Sequence, residues 1–188
     1  MQEARERWKT EKATESSASF IFIDESSINI GMTRLYARSE MGKRVFDYVP
    51  DPRGENRLTI VSSLRQDGTT EALVFEGSLN GEFFVEYMKN SLAPTLKEGD
   101  VVIMDNLSSH KVGGLKEIVE ERGAKIEYLP QYSPDLNPVE NMWSKVKAHL
   151  RQAKEKTKEA LLEAVGAALR AVSAQDAQGW FEHCGYCL

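Results

Sequence analysis

The sequence predicts an α/β domain, a mixed sheet with helices on its faces. Short apolar runs bounded by turn residues fill the first half, with a hairpin signal at Gln66-Asp67-Gly68. From Asn80 onward, helical periodicity alternates with two further short apolar runs. Hairpin strands followed by strand–helix–strand units give a mixed sheet. Two of the runs end in aspartate, and sites in such sheets lie at the carboxyl ends of strands.

Taken in order, residues 1–18 are polar and charged, and Ser16-Ser17-Ala18-Ser19 reads as a break. They read as a linker or an N-terminal helix ahead of a domain spanning 19–188. Phe20–Asp24 is a short buried-type strand. Gly31–Arg57 has no clear period, and Pro50-Asp51-Pro52-Arg53-Gly54 is loop. Leu58–Leu64 and Ala72–Phe75 are strands joined by the hairpin. Asn80 suits an N-cap, and Phe83, Phe84, Tyr87, Met88 and Leu92 mark one helical face. Lys97-Glu98-Gly99-Asp100 turns the chain into the strand Val101–Met104. Leu115, Ile118 and Val119 mark a helix ending near Gly123, and Ile126–Leu129 is the fifth strand. Helices follow over 138–151 and 157–173, the latter with a stripe of Leu161, Leu162, Val165, Leu169 and Val172. A short helix near Trp180 ends the chain.

At 188 residues the chain is long enough for one well-filled core. No apolar run approaches the ~20 residues of a membrane span, and the N-terminus lacks the apolar centre of a signal peptide. A cytoplasmic, bacterial-type protein is expected. Two cysteines near the C-terminus make no disulfide framework, and Cys184-Gly185-Tyr186-Cys187 is only half a zinc site. There is no Walker loop, no dinucleotide fingerprint and no nucleophile elbow. Ser108-Ser109-His110 is too local to form a hydrolase triad.

Three carboxylates carry the functional argument. Asp24 ends the run Phe20-Ile21-Phe22-Ile23, Asp105 ends Val101-Val102-Ile103-Met104, and Glu140 lies just inside the helix opened by Asn137-Pro138. Together they can form an all-oxygen site for Mg²⁺ or Mn²⁺, suited to phosphoryl transfer on nucleic acid. Each also has an ordinary structural explanation. An aspartate often ends a strand and starts a turn, and Asn137-Pro138-Val139-Glu140 has the form of a capping box. Glu25 neighbours Asp24 but points to the opposite face, so it is the weaker ligand candidate. Asn106 and His110 suit an orienting role beside Asp105; His110 equally suits a cap for the next helix.

The net charge of −5 runs against strong DNA binding by the chain alone. Residues 143–158, however, hold Lys145, Lys147, Arg151, Lys154, Lys156 and Lys158 against Glu155 alone. On the helix, Val139, Met142, Trp143, Val146 and Leu150 form the core stripe, and Lys147 lies two turns beyond Glu140 along one edge. Lys147, with Lys145 and Arg151, is the candidate contact to a DNA backbone; a solvated surface is the alternative. Trp143 reads as core rather than as a base-stacking platform.

The run Tyr128-Leu129-Pro130-Gln131-Tyr132-Ser133-Pro134-Asp135-Leu136-Asn137-Pro138-Val139-Glu140-Asn141-Met142-Trp143 resembles the third catalytic block of the mariner-type transposase superfamily, particularly its bacterial insertion-sequence branch. Phe22-Ile23-Asp24-Glu25 resembles the first block, and Met104-Asp105-Asn106 through His110 the second. The thirty-four residues between Asp105 and Glu140 match the superfamily's spacing. The resemblance covers residues 19–186. It implies an RNase H-like fold, a catalytic triad of Asp24, Asp105 and Glu140, and two divalent ions, Mg²⁺ or Mn²⁺. It also implies cleavage at transposon ends, joining of the 3′-OH to a TA target, and a homodimer on DNA. Full-length members carry an N-terminal helix-turn-helix region that residues 1–18 do not supply. The chain is therefore expected to be a catalytic half: an excised domain, a second reading frame of a split transposase that works with a separate helix-turn-helix polypeptide, or a truncated remnant. The alternatives are an RNase H-like nuclease without strand transfer and a non-catalytic DNA-binding remnant.

Overall fold

The computed structural model describes residues 2–34, 36–46, 57–107, 110 and 112–187. The loop expected at Pro50–Gly54 lies outside them. The elements are α1 (Gln2–Lys12), β1 (Phe20–Asn29), β2 (Arg57–Arg65), β3 (Ala72–Glu76), α2 (Gly81–Tyr87), β4 (Val101–Met104), α3 (Leu115–Glu120), β5 (Lys125–Tyr128), α4 (Pro138–Ala153), α5 (Lys158–Arg170) and α6 (Ala174–His183).

The five strands form one sheet in the order β3-β2-β1-β4-β5. β1, β2 and β3 are antiparallel neighbours, while β4 and β5 run parallel to β1. The predicted mixed sheet flanked by helices is therefore the observed one. The β2–β3 hairpin turns at Gly68, whose φ is 85°. A Cβ there would also stand 2.8 Å from the Ser173 backbone, so the turn needs glycine on both counts.

Strand alternation divides the core in two. Phe20, Phe22, Val101 and Ile103 face one layer, where they meet Val139, Met142, Trp143 and Val146 of α4, Val165 of α5 and Phe181 of α6. Ile21, Ile23, Val102 and Met104 face the other, against Phe84, Tyr87 and Met88 around α2 and Leu115 and Val119 of α3. Helix α2 opens on Asn80, whose side chain accepts from Phe83 N–H, and passes into a π turn over Met88–Leu92.

Three expectations need correction. Of linker or helix, the helix holds over Gln2–Lys12, but it does not stand ahead of the domain: Trp8 is 8% exposed within the first core layer. Its indole Nε1 donates to Tyr186 Oη at 3.1 Å, and Lys12 pairs with Glu127 of β5 at 2.6 Å. Strand β1 does not end at Asp24 but runs to Asn29, because β2 supplies backbone partners along the whole length. Phe83 does not join the core face of α2; it is 40% exposed and stacks on Phe75 at 4.7 Å between centroids.

Candidate active site

The sheet register brings the two aspartates together. β1 and β4 pair in parallel with Phe20 opposite Val101 and Phe22 opposite Ile103. Continuing by two residues sets Asp24 beside Asp105. Both share the parity of Phe22 and Ile103, so both lie on the sheet face covered by α4. Asp105 leaves the carboxyl end of β4, as expected; Asp24 sits within β1.

Helix α4 brings Glu140 to the same place. A 3-10 turn over Pro134–Leu136 leads into Asn137, the N-cap, with Pro138 at the first helical position. Asn137 Oδ1 accepts from Val139 N–H at 3.2 Å, and its Nδ2 donates to Asp24 Oδ2 at 3.1 Å. The capping box is not closed: the Glu140 carboxylate makes no hydrogen bond or ion pair among the described residues and is exposed. Asp24, Asp105 and Glu140 line one cavity of about 350 Å³, walled by Asn106, Leu107 and the segment Leu129–Pro134.

The electrostatics of the cavity are those of crowded carboxylates. Burial and then the charges of Glu140, Glu25 and Asp105 push Asp24 up to about 8. Asp105 goes the other way. Partial burial raises it, but the His110 hydrogen bond and the Leu107 N–H more than offset this and hold it below the usual carboxylate range. His110 is fully buried, with Nδ1 2.7 Å from Asp105 Oδ1 and its ring over Phe84 at 4.4 Å. Burial alone would lower the imidazole, yet Asp105 and Glu25 carry it to about 9. Glu25 does face away from Asp24, as expected. Its Oε2 comes within 3.4 Å of His110 Nε2, an ion-pair distance, although neither of these buried atoms makes a hydrogen bond of good geometry.

These residues fit divalent cations of a particular kind. The donors are carboxylate oxygens, the ligand type of Mg²⁺ and Mn²⁺. Among the described residues, no three His, Cys, Asp or Glu side chains stand close enough to hold one ion unaided. That suits Mg²⁺, which usually takes one or two carboxylates together with substrate phosphates rather than a complete protein cage.

The remaining candidates separate. Asn106 does not orient Asp105; its Nδ2 donates to Leu129 O at 2.8 Å and ties the exits of β4 and β5 together. Lys145 is engaged within the fold, donating to Ala171 O at 2.8 Å and pairing with Asp176 at 2.5 Å. Its charge is matched within the fold. Lys147 and Arg151 lie one turn apart on α4, partly exposed and without an ion pair among the described residues. Trp143 is 3% exposed and belongs to the core. Cys184 and Cys187 are both free thiols.

Sequence reasoning missed three residues at the site. Asn137 was legible as an N-cap, but its bond to Asp24 spans 113 positions and leaves no local signal. Tyr132 is an exposed tyrosine with φ of 55°. Arg5 of α1 reaches across to Asp135, Ser133 and the carbonyl of Tyr132.

Comparison with known proteins agrees with this arrangement. The profile described as DDE superfamily endonuclease matches residues 19–162. No curated protein sequence matches the chain. Among solved structures, the Mos1 transposase paired-end complex with left transposon end superposes with a TM-score of 0.77 at 16% identity, covering 97% of this chain and 57% of that one. The Mos1 strand transfer complex gives 0.72 at 16%, over 98% and 57%. The catalytic domain of Mos1 mariner transposase gives 0.56 at 12%, over 100% and 93%. The chain thus spans a little over half of the longer transposase chains and nearly all of the isolated catalytic domain, whose RNase H-like fold it shares. With most of its length under the matching profile, the chain belongs to the DDE superfamily endonuclease family.

Proposed function

We propose that this chain is the catalytic domain of a transposase that cleaves DNA at transposon ends and joins the freed 3′-OH to target DNA. The observation that carries the reading is the meeting of Asp24, Asp105 and Glu140 in one cavity, from two strands and a helix distant in sequence. Asp24, Asp105 and Glu140 would hold two divalent ions, Mg²⁺ or Mn²⁺, which supply charge neutralisation and water activation when bound. Mos1 structures with Mn and with Mg support the choice of metal.

The chain's own residues supply position and charge. Asn137 holds one oxygen of Asp24 at 3.1 Å, and the Glu25 N–H holds the other at 2.8 Å, so the carboxylate is fixed at the cavity wall. His110 holds Asp105 from the buried side and keeps it ionised. Glu140, unbonded among the described residues, is free to swing toward an ion and phosphate together. Lys147 and Arg151 extend from Glu140 along α4 and are the backbone-contact candidates. The attacking oxygen and the leaving oxygen need no covalent protein intermediate; fixed charge and alignment lower the barrier. A TA target, a homodimeric DNA complex and a separate helix-turn-helix partner belong to the same reading, as does a cytoplasmic location; among the described residues no helix is long and apolar enough to cross a membrane.

The test is a pair of assays on labelled duplex in Mn²⁺. Wild type should nick the duplex, and a pre-cut end should become joined to a target plasmid. Glu140→Gln should fold normally and lose both activities. Nicking without joining would favour a nuclease; DNA binding with neither activity, in wild type and variant alike, would favour a non-catalytic remnant.

A further inference from the structure

Tyr132 stands on the rim of the carboxylate cavity with its side chain 84% exposed. Its φ of 55° lies in the left-handed region, which a residue with a bulky side chain rarely adopts. The turn is held there from outside. Arg5 Nη1 donates to Tyr132 O at 3.2 Å and to Ser133 Oγ at 2.8 Å, while both terminal nitrogens of Arg5 grip Asp135 at 3.0 and 2.7 Å. The side chain itself makes no hydrogen bond or ring contact among the described residues. An exposed aromatic on a strained, pinned backbone, at the edge of a site for phosphate chemistry, points to a ligand with a flat face.

The size of the cavity narrows the ligand. About 350 Å³ is near the lower end of small-molecule sites, which run from ~300 to ~1,000 Å³. It takes a group no larger than about one nucleotide. Leu107, Leu129 and Pro130 add apolar surface to its lining. A tyrosine ring can stack only on a base face that no neighbouring base covers, so a base that meets Tyr132 has left its stack or lies at a strand end. An ordinary surface tyrosine would need neither the left-handed backbone nor the arginine clamp.

We propose that Tyr132 is a stacking platform for one unstacked nucleobase of the DNA strand whose phosphate lies at Asp24, Asp105 and Glu140. This rests on the catalytic reading above and names the part of the substrate that the rim recognises. Stacking on an aromatic face is tolerant of base identity, so the platform would favour an extruded or end-frayed nucleotide over any particular sequence.

The experiment uses the full chain in Ca²⁺ and a short duplex with one unpaired 2-aminopurine at its end. Wild type should quench the fluorophore on binding. Tyr132→Ala and Tyr132→Gly should bind this probe roughly tenfold more weakly and lose the quenching; Tyr132→Trp should retain both. Glycine accepts the left-handed backbone without strain, so the Gly variant separates loss of the ring from disturbance of the turn. The slope of log affinity against log salt should stay unchanged, because stacking releases no counterions. Wild-type affinity and quenching in Tyr132→Gly would overturn the platform, as would a wild-type complex with no change in fluorescence. The catalytic reading is judged separately, by metal-dependent nicking in wild type and its loss in Glu140→Gln.

Discussion

Asn137 joins two tasks in one side chain, and they can be pulled apart. Its Oδ1 caps α4 and its Nδ2 holds Asp24. Serine caps a helix about as well but has no amide to reach the carboxylate. Asn137→Ser should change stability by less than ~0.5 kcal/mol while cutting Mn²⁺-dependent nicking ~10–100-fold, the usual cost of losing a group that orients a metal ligand. Unchanged nicking with a normal melting curve would leave Asn137 as a cap and nothing more. The same cluster sets a pH dependence for the metal-free protein. Asp24 folds with a pKa of about 8 against 3.8 unfolded, so between those values the folded state keeps a proton that the unfolded chain has released. Its contribution grows more unfavourable as pH rises from ~4 to ~8. His110, at about 9 against 6.5, stabilises fully below 6.5 and loses that effect as pH rises through 9. The two run in the same direction. Urea stability in EDTA should therefore fall between pH 5 and 9, and Asp24→Asn should flatten the slope and exceed wild type at pH 8. A stability that rises across this range would contradict the burial and pairing described here.

At the scale of elements, α4 carries the proposed contacts to DNA. Lys145 spans to α6, where the Asp176 carboxylate is drawn down to about 2 by Lys145 and the Ser173 cap. Lys147 and Arg151 lie outside that bridge. Lys147→Ala should therefore weaken binding to all DNA sequences alike and reduce the salt slope by roughly one unit. Lys145→Ala should leave the slope intact and cost up to ~1 kcal/mol of stability, as a part-exposed ion pair does. Affinity titrations at several salt concentrations in Ca²⁺ read the first, and urea unfolding the second; equal slopes for both variants would return α4 to a plain solvated face. Periodicity made α4 legible, since Val139, Met142, Trp143, Val146 and Leu150, with Pro138 at its start, are its buried residues. The same reasoning found every strand core but misjudged β1. Glu25, Ser26 and Ser27 look like the end of a strand, yet Val61, Ile60 and Thr59 pair with them across the sheet. Backbone pairing with a distant strand overrides local polarity. The capping box failed for a related reason: the Asn137 backbone N–H that Glu140 would accept from donates to Pro134 O at 3.0 Å instead, and Glu140 lines the cavity.

Over the whole molecule, the two chain ends close over the site's supporting turn. Trp8 donates to the Tyr186 hydroxyl, which in turn donates to Leu136 O at 2.7 Å, two residues before Pro138 opens α4. Tyr186 packs edge-on against Phe20 at 5.9 Å and tilted against Phe22 at 5.0 Å, joining the C-terminus to β1. None of this was legible in the sequence. Residues 1–18 are polar on average, and one tryptophan among eleven helical residues gives no stripe to read. The triad was legible because its residues sit at the ends of strong local patterns; the scaffold beneath it was not, because its bonds link the N-terminus, the Pro134–Leu136 turn and the C-terminus. This arrangement makes α1 part of the catalytic unit, although the family profile begins after it. Trp8→Ala should cost ~3–5 kcal/mol, as removal of a buried large aromatic does. A chain starting at Ala13 should lose at least as much. Arg5→Ala should separate stability from activity. The Arg5–Asp135 pair is partly exposed, with side chains 26% and 55% accessible, so its loss should cost little stability. Nicking should nonetheless fall several-fold, because the Tyr132–Asp135 turn that frames the cavity loses its outer support. Urea unfolding of all three proteins, beside nicking in Mn²⁺ at a temperature where each is folded, checks the set. A truncated chain as stable and active as the full one would show that α1 only rests on the surface.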